Sequence, residues 1–470
     1  MITPAAVMRM GGRHKGGHDE RRKARRSSTD SIHSRGTSVQ FRLPAGALWR
    51  HAGFLRLWAA QTVSSFGARI AREGFAMTAI LTIHAAPAEL GVLAALARGP
   101  GVVVGLVAGG FVDRTSRRRV MIASDLARTA LILTVPLAAW AHLLAMPQIY
   151  LVAALVGGAN ALFEIADHAF LPSLVAREHL LDGNAKLGVT DAVAEIGGPA
   201  LAGTLFQLLT SPFAMLGTAA TYLVSASFLF SLRTDETPAA PEATSRWHRD
   251  LMDGLAAIVG EPLVRPLFWM TVVWSFFAAF FAPLYLLFGL KVIGLSPALM
   301  GVNIAMGGIG ALSAASLSAR LARRFGVGPT LIVTRFLYVG FLALVPLTGG
   351  PFWLAVAMLM AAQLFGDAFA VAGDILTVSL RQSALPPALL GRTAALFSAA
   401  GGGMIVAGAV LGGSLGAWIG IRPTLGIAVA GMAAAPLFAL FSPLRTLRIL
   451  PREAGEGDRE AVEGAGLGET

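Results

Sequence analysis

The sequence contains no cysteine, and only 14% of its 470 residues are charged. Without cysteine there can be no disulfide framework, no thiolate metal site and no cysteine nucleophile. Soluble domains carry roughly 25% charged residues, so the shortage of charge argues against a water-soluble protein. The chain is instead 55% hydrophobic, with a mean hydropathy of +0.66. Only a lipid environment accommodates this much apolar sequence, and we predict an integral membrane protein.

The sequence also lacks the motifs of common enzyme classes. It has no P-loop to hold ATP, no His-Glu-x-x-His zinc helix and no Gly-x-Ser-x-Gly nucleophile turn. The polar stretch at 233–246 is too short for a catalytic domain. We therefore expect no enzyme activity, no cofactor and no metal site.

Apolar runs recur along the chain. A helix of roughly twenty apolar residues spans a bilayer, and the sequence contains twelve such runs. They lie at about 57–83, 88–110, 119–141, 148–171, 184–208, 212–232, 264–290, 297–319, 329–348, 351–378, 390–415 and 422–442.

Lysine and arginine are concentrated in every second connection between these runs. The N-terminal tail, the 112–119 loop, the 233–263 linker and the C-terminal tail all contain lysine or arginine, whereas Lys291 and Arg422 are almost alone on the other side. Positive loops stay in the cytoplasm, so twelve spans place both termini in the cytoplasm of a plasma membrane protein. The net charge of +11 therefore reflects topology, and we expect no nucleic-acid partner.

Composition divides the chain into five parts. Residues 1–50 are predicted to be a disordered basic cytoplasmic tail, and 443–470 a second disordered cytoplasmic tail. Residues 51–232 and 263–442 are predicted to form six-helix bundles. Between them, 233–262 is predicted to be a cytoplasmic linker with an amphipathic helix at 247–260.

The two halves repeat one another. Residues 87–92 match 297–302, Val135-Pro136-Leu137 matches Val345-Pro346-Leu347, and Ser65-Phe66 matches Ser275-Phe276, all 210 residues apart. One unbroken offset indicates a duplication, and parallel six-helix repeats are a known transporter architecture.

The loop after the second run carries a dense motif of glycine, aspartate and arginine. It places Gly109, Asp113, Arg114, Arg117 and Arg118 between two membrane spans. This motif resembles the cytoplasmic loop of the major facilitator superfamily, although Ser116 replaces the usual second glycine. The resemblance implies two six-helix bundles around a central cavity that opens to alternate sides. The loop would hold the halves together on the cytoplasmic side; alternatively, its arginines only set topology.

Two further resemblances narrow the family. In the fifth run, Gly198, Pro199 and Gly203 are similar to a glycine–proline motif of superfamily antiporters, although ordinary helix packing explains them equally. Residues 56–67 and 250–265 resemble the branch that contains the enterobactin exporter and macrolide efflux pumps. That branch often has an acid where this chain has Ala68.

Charged residues within the membrane runs point to a functional cavity, because each costs roughly 2.5–3.5 kcal/mol at a helix centre on insertion scales. The cavity and proton-coupling candidates are Arg69, Arg72, Glu73, Glu164, Asp167, Asp191, Glu195 and Asp367. Glu164, Glu195 and Asp367 are the first proton-carrier candidates, followed by Glu73.

Fixed ion pairs are the alternative explanation for these charges. Arg69 and Glu73 are one turn apart and could pair, as could Arg72 with an acid of the fourth run. Asp125 and Arg128, in the third run, are expected to be structural.

Aromatic residues cluster in the seventh run. Trp274, Phe277 and Phe281 could form a wall against an apolar or aromatic substrate, or could pack against lipid and neighbouring helices.

Together these patterns favour a monomeric secondary transporter, in contact with membrane lipids, that exports a small amphipathic molecule such as a drug or siderophore in exchange for protons. Import of a nutrient or siderophore is the alternative within transport. A membrane receptor or sensor on the same fold is the alternative of another class.

Overall fold

The computed structural model describes residues 48–108, 111–112, 114–209, 211–232 and 247–450. Within these ranges the chain is helical and contains no β-strand, which confirms the predicted all-α fold. The α-helices are α1 (Ala52–Thr78), α2 (Pro87–Val107), α3 (Arg117–Trp140), α4 (Met146–Leu174), α5 (Leu180–Leu208), α6 (Ser211–Ser231), α7 (Trp247–Gly260), α8 (Val264–Ala278), α9 (Phe281–Leu287), α10 (Pro297–Phe325), α11 (Val327–Leu342), α12 (Leu344–Leu347), α13 (Phe352–Ala384), α14 (Pro387–Ile419) and α15 (Ile421–Leu440).

These helices make twelve crossings in two bundles. In the first bundle α1 packs on α5 and α6, α2 on α4, and α3 on α4 and α6. In the second bundle α10 and α11 pack on α13, while α8 packs on α14 and α15. Two broad contacts, α5 with α10 and α2 with α14, join the bundles. The predicted twelve-helix fold is therefore confirmed.

Two of the twelve crossings differ from the rest in composition. Among the described residues, ten segments are long and apolar enough to cross a membrane by themselves. The other two crossings are α1 and α5. These two helices contain Arg69, Arg72, Glu73 and Glu195, so the two crossings that are not apolar enough by themselves carry a concentration of charge.

The predicted duplication is visible in the backbone. α2 begins at Pro87 and α10 at Pro297, 210 residues later. A π-helical turn precedes each of them, at Ala79–Ile83 and at Phe288–Ile293. Each turn ends in a left-handed residue, His84 with φ 58° and Gly294 with φ 80°. Since π-turns are rare and histidine seldom adopts this conformation, the coincidence supports descent of both halves from one unit.

The bundles meet at the end where α2 and α10 begin, which we call the sealed end. There Gly91 of α2 lies against Gly413 of α14, and Gly203 of α5 lies against Gly301 of α10. A Cβ on any of these glycines would overlap the backbone of the facing helix. The 210-residue repeat relates Gly91 to Gly301 and Gly203 to Gly413. The two glycine contacts that close the sealed end are therefore equivalent.

The bundles separate toward the opposite end, where α1 begins and α15 ends and which we call the termini end. At glycine positions, contact between them is seen as far as Val102 with Gly402 and Ile196 with Gly308. Beyond these levels, a Cβ added at Gly105 or Gly188 would have no neighbouring atom within 4 Å. The space between the bundles is therefore open toward the termini end.

A larger side chain in place of a glycine at the sealed end is expected to force the bundles apart. Gly413→Leu should widen the α2–α14 separation by about 2 Å, because interaxial distance follows the side chains at the contact. Spin labels on cysteines introduced at Ala86 and Ala417 measure this distance in a chain with no native thiol to interfere. Gly426→Leu, at a site with free space, is the control. Equal distances in the two variants would contradict the glycine closure.

Candidate functional site

An ionic cluster lies between α1 and α5. Arg69 Nε is 2.7 Å from Glu195 Oε2, although its N–H does not point at the carboxylate closely enough for a hydrogen bond. Arg72 Nη2 donates to Glu195 Oε1 at 3.1 Å, and Arg72 Nε donates to Glu73 Oε1 at 3.1 Å. We call Arg69, Arg72, Glu73 and Glu195 the central cluster. One carboxylate is thus held by two arginines from the neighbouring helix.

The pairing differs from the sequence expectation. Arg69 does not pair with Glu73 one turn away, and Arg72 does not pair with an acid of α4. Both arginines reach across to Glu195 because Gly198 lets α1 approach α5 closely, with the Arg69 side chain filling the place of the missing Cβ. One turn earlier, Ser65 Oγ donates to Asp191 at 2.7 Å. The facing sides of α1 and α5 are therefore joined by polar contacts over two turns.

The central cluster is accessible. The side chains of Arg69 and Glu195 are 30% and 41% exposed, respectively. Exposed ionic groups inside a membrane span are stable only where they meet water, because transfer of a charge into lipid is costly. They lie near the level at which α5 and α10 separate, so we assign them to the lining of the open space between the bundles.

The second bundle supplies a lone carboxyl group to this region. Asp367 of α13 has no ion pair or hydrogen bond with any residue that the structure describes, and it lies against Gly307 of α10. Its charge interacts with that of Glu195. Nearby, Asn303 Nδ2 donates to Tyr285 Oη at 2.6 Å. Sequence reasoning missed Asn303 and Tyr285; an asparagine one turn before Gly307 in an apolar helix is the available signal.

The polar residues of α4 divide between two surroundings. Asn160 accepts a 2.8 Å hydrogen bond from Arg128, and Asp167 accepts one from Gln61 of α1, so both face the interior of the first bundle. Glu164 and His168 are 3.9 Å apart and mostly exposed. These four residues, which helical spacing places on one side of α4, therefore straddle the edge between the bundle interior and its exposed surface.

Asp125 and Arg128 form the buried ion pair that the sequence predicts. Both side chains are almost fully buried, and Ser225 Oγ donates to the Asp125 carboxylate at 2.7 Å. The guanidinium group lies between the rings of Phe163 and Tyr222, 4.3 and 4.2 Å from their centroids. This arrangement satisfies both charges internally, as a structural pair requires.

The second bundle contains a buried arginine at the position that the repeat relates to Asp125. Arg335, 210 residues after Asp125, donates to Asp374 at 2.6 Å and to Thr377 Oγ1 at 3.3 Å. Its guanidinium group is 4.7 Å from the ring of Trp274.

The aromatic candidates of α8 and α9 pack within the second bundle. Trp274 lies on Arg335 and on the ring of Tyr338, 4.8 Å away. Phe277 fills the space at Gly431, and Phe281 packs against the same apolar core. These contacts account for their burial; a substrate contact remains a prediction.

The basic loop before α3 is described only in part, since Gly109 and Asp113 lie outside the described residues. Arg118 donates to the carbonyl oxygens of Leu229 and Phe230, at 2.8 Å each. It thereby satisfies carbonyls at the end of α6, where cations are favourable. The proposed role of Arg114 and Arg117 in holding the halves together remains a prediction.

The helix-5 motif has two contacts that the sequence could not distinguish. Gly198 accommodates Arg69 within the first bundle, whereas the Pro199 carbonyl oxygen and Gly203 face Gly301 of the second bundle. The motif thus serves both the central cluster and the sealed end.

Comparison with known proteins agrees with this architecture. Among curated proteins, the chain is 25% identical over 380 residues to the uncharacterized MFS-type transporter YfiS of Bacillus subtilis strain 168, covering 78% of this chain and 88% of YfiS. It is 28% identical over 355 residues to the uncharacterized MFS-type transporter y4rN of Sinorhizobium fredii strain NBRC 101917 / NGR234, covering 72% and 82%.

Solved structures show the same fold at low identity. A bacterial homologue of the iron transporter ferroportin, in an inward-facing state, superposes with a TM-score of 0.67 at 16% identity, covering 82% of this chain and 97% of that one. The nucleoside transporter NupG gives 0.60 at 14% identity, with coverage of 83% and 98%. The model of the Major Facilitator Superfamily matches residues 57–408. The chain belongs to the major facilitator superfamily and is a membrane transporter of that type.

Proposed function

We propose that the chain exports small amphipathic molecules in exchange for protons, from the cytoplasm across the plasma membrane. The observation that supports this best is that two acids in different surroundings lie near the point where the bundles separate. Glu195 of the first bundle is held by Arg69 and Arg72, whereas Asp367 of the second bundle has no partner among the described residues. An acid without a compensating cation is the natural place to bind a proton.

The proton would couple to the movement of the bundles. Closing the termini end brings Asp367 into a drier space, and an ionised carboxylate resists this because burial of an unpaired charge is costly. Protonation of Asp367 removes that cost. One proton moving through about 100 mV releases roughly 2.3 kcal/mol, which supports on the order of a fifty-fold gradient of substrate.

The direction and the substrate class rest on resemblance. The stretches 56–67 and 250–265 and the glycine–proline motif of α5 are similar to exporters and antiporters of the superfamily. We therefore include the chain in the branch of the enterobactin exporter and macrolide efflux pumps, with a drug or siderophore as substrate. We also propose that the chain acts as a monomer with both termini in the cytoplasm.

The parts around the site have supporting roles in this proposal. The loop with Gly109, Asp113, Arg114, Arg117 and Arg118 would hold the halves together on the cytoplasmic side once the termini end closes. Residues 51–232 and 263–442 would move as two bodies, joined by the 233–262 linker, of which α7 is the described part. The tails at 1–50 and 443–470 would stay in the cytoplasm.

Inside-out vesicles with an acidic interior test this function. Addition of a transported drug or siderophore should dissipate the pH gradient in vesicles that contain the protein. Glu195→Gln should abolish this response, because the amide leaves Arg69 and Arg72 without their counter-ion beside the proton site at Asp367. Glu178→Gln, at an exposed acid near the termini end, should respond like the wild type.

The outcome separates the alternatives. No response across a broad panel, with folded protein present, would contradict proton-coupled export and favour import or a receptor role. A response that survives in Glu195→Gln would still support proton-coupled export but would show that Glu195 is not needed for coupling.

A further inference from the structure

Arg98 of α2 is a cation that the proposed transport cycle does not use. We propose that Arg98 binds an anionic group of the transported molecule, so that the substrates are amphipathic anions such as carboxylates or sulfonates. This inference rests on the proposed transport function and specifies the substrate class at the same site.

The position of Arg98 on α2 directs it between the bundles. Gly91, Ala95 and Val102 form the stripe of α2 that faces α14: Gly91 touches Gly413, Ala95 packs with Ala409, and Val102 lies against Gly402. Gly91, Ala95, Arg98 and Val102 follow one another at intervals of four, three and four residues, so Arg98 lies on this same stripe.

The facing part of α14 leaves room for a ligand. Residues 401–403 are three consecutive glycines, and Gly402 faces Val102, one turn from Arg98. A Cβ added at Gly403 would have no neighbouring atom within 4 Å. By the same pairing Arg98 faces Val406, whose side chain lies near Gly99, and the open space begins at the glycines one turn closer to the termini end.

The charges around Arg98 leave its own guanidinium group available. Its charge interacts with Arg72, Glu195, Arg69 and Glu164, which places it beside the central cluster. Within the described parts of the chain it makes no hydrogen bond or ion pair, whereas Arg69 and Arg72 are engaged by Glu195, and Arg72 also by Glu73. Glu164 lies 3.9 Å from His168 on an exposed surface. Arg98 is therefore the cation of this group that can accept a new anion.

The chemistry of arginine specifies the ligand. A guanidinium fork forms two parallel hydrogen bonds with a carboxylate, sulfonate or phosphate oxygen pair, and these bonds are stronger than those between neutral groups. The side chain is also exposed. Within a membrane span an exposed, unpaired arginine is costly unless it faces water, so its site lies in the open space that a substrate enters.

Two fluorescent probes of opposite charge test this site directly. Dansylglycine carries a carboxylate and dansylcadaverine an ammonium group on the same fluorophore. Saturable binding of each is measured on the full-length protein in lipid nanodiscs, after subtraction of binding to empty nanodiscs. We expect the wild type to bind dansylglycine, and Arg98→Gln to weaken this binding by about 10- to 100-fold, as expected for loss of a charged hydrogen-bonding pair.

Two further variants separate binding from folding. Arg98→Lys retains the charge without the fork and should lose only part of the affinity. Arg265→Gln removes an arginine of the lateral groove between α8 and α15, outside the open space, and should bind like the wild type. Dansylcadaverine should not bind more weakly to Arg98→Gln than to the wild type.

Three results would overturn the anionic substrate. They are no saturable binding of dansylglycine to the wild type, preference of the wild type for dansylcadaverine, and equal weakening of both probes by Arg98→Gln. Proton-coupled export is measured separately by the vesicle response to the drug and siderophore panel. An exporter of cations would keep that response and fail this binding test.

Discussion

Replacing Asp367 by asparagine is expected to abolish proton-driven accumulation while the protein remains folded. The substitution keeps the size of the side chain, and among the described residues no hydrogen bond or ion pair depends on its charge. Without a protonatable group the pH gradient cannot drive the cycle. In proteoliposomes with an imposed gradient, the accumulation ratio should fall from the order of fifty-fold to about one.

Counterflow of labelled against unlabelled substrate provides the second measurement for Asp367→Asn. Exchange needs the movement of the bundles but no net proton transfer, so it should persist in this variant. The control is Asp374→Asn on the same helix, whose partner Arg335 keeps Thr377 at 3.3 Å and the carbonyl oxygen of Ala370 at 3.4 Å. Wild-type accumulation in Asp367→Asn would assign proton transfer to Glu195 or Glu164 instead.

Replacing Arg128 by methionine is expected to destabilise the first bundle more than removal of any charge of the central cluster. Asp125 would remain fully buried without a counter-ion, and removal of one partner from a buried pair costs about 3–5 kcal/mol. The Asn160 amide and the rings of Phe163 and Tyr222 would lose their shared neighbour as well. Thermal and denaturant unfolding in detergent measure the loss.

The second bundle supplies a control for Arg128→Met. Arg335→Met also removes a buried arginine from an ion pair, but its partner Asp374 is 65% exposed and can be hydrated. Its destabilisation should therefore be smaller. The double variant Asp125→Asn with Arg128→Met should recover part of the stability, because it leaves no buried charge. Equal losses in Arg128→Met and Arg335→Met would contradict the assigned difference in burial.

Most of the fold could be predicted from local sequence. Apolar runs indicate helices because the bilayer admits few other structures, and a constant offset between repeats indicates equivalent positions. The apolar runs at 57–83 and 184–208 predict α1 and α5 as spans although both helices carry several charges. The ends of the helices are predicted less accurately: α1 begins at Ala52, several residues before the predicted 57.

The partners of the charged residues could not be predicted in the same way. Helical periodicity shows that Arg69 can reach Glu73, but the choice of Glu195 depends on the approach of α5 at Gly198. Likewise, spacing places Glu164 beside Asp167, whereas only the packing of α4 shows that the two acids face different surroundings. That Arg98 and Asp367 have no partner among the described residues is a property of the assembled bundles.

The polarity of α1 has a consequence for synthesis in the cell. This helix is the first of the described crossings along the chain, yet Arg69 and Arg72 meet Glu195 only after α5 has been made, 123 residues after Arg72. At roughly 5–20 residues per second, translation leaves these arginines without that counter-ion for about 6–25 seconds. During this interval α1 needs shelter from lipid, either beside its neighbour α2 or within the insertion machinery. Early truncations of the nascent chain should therefore integrate poorly, and integration should improve once α5 has emerged.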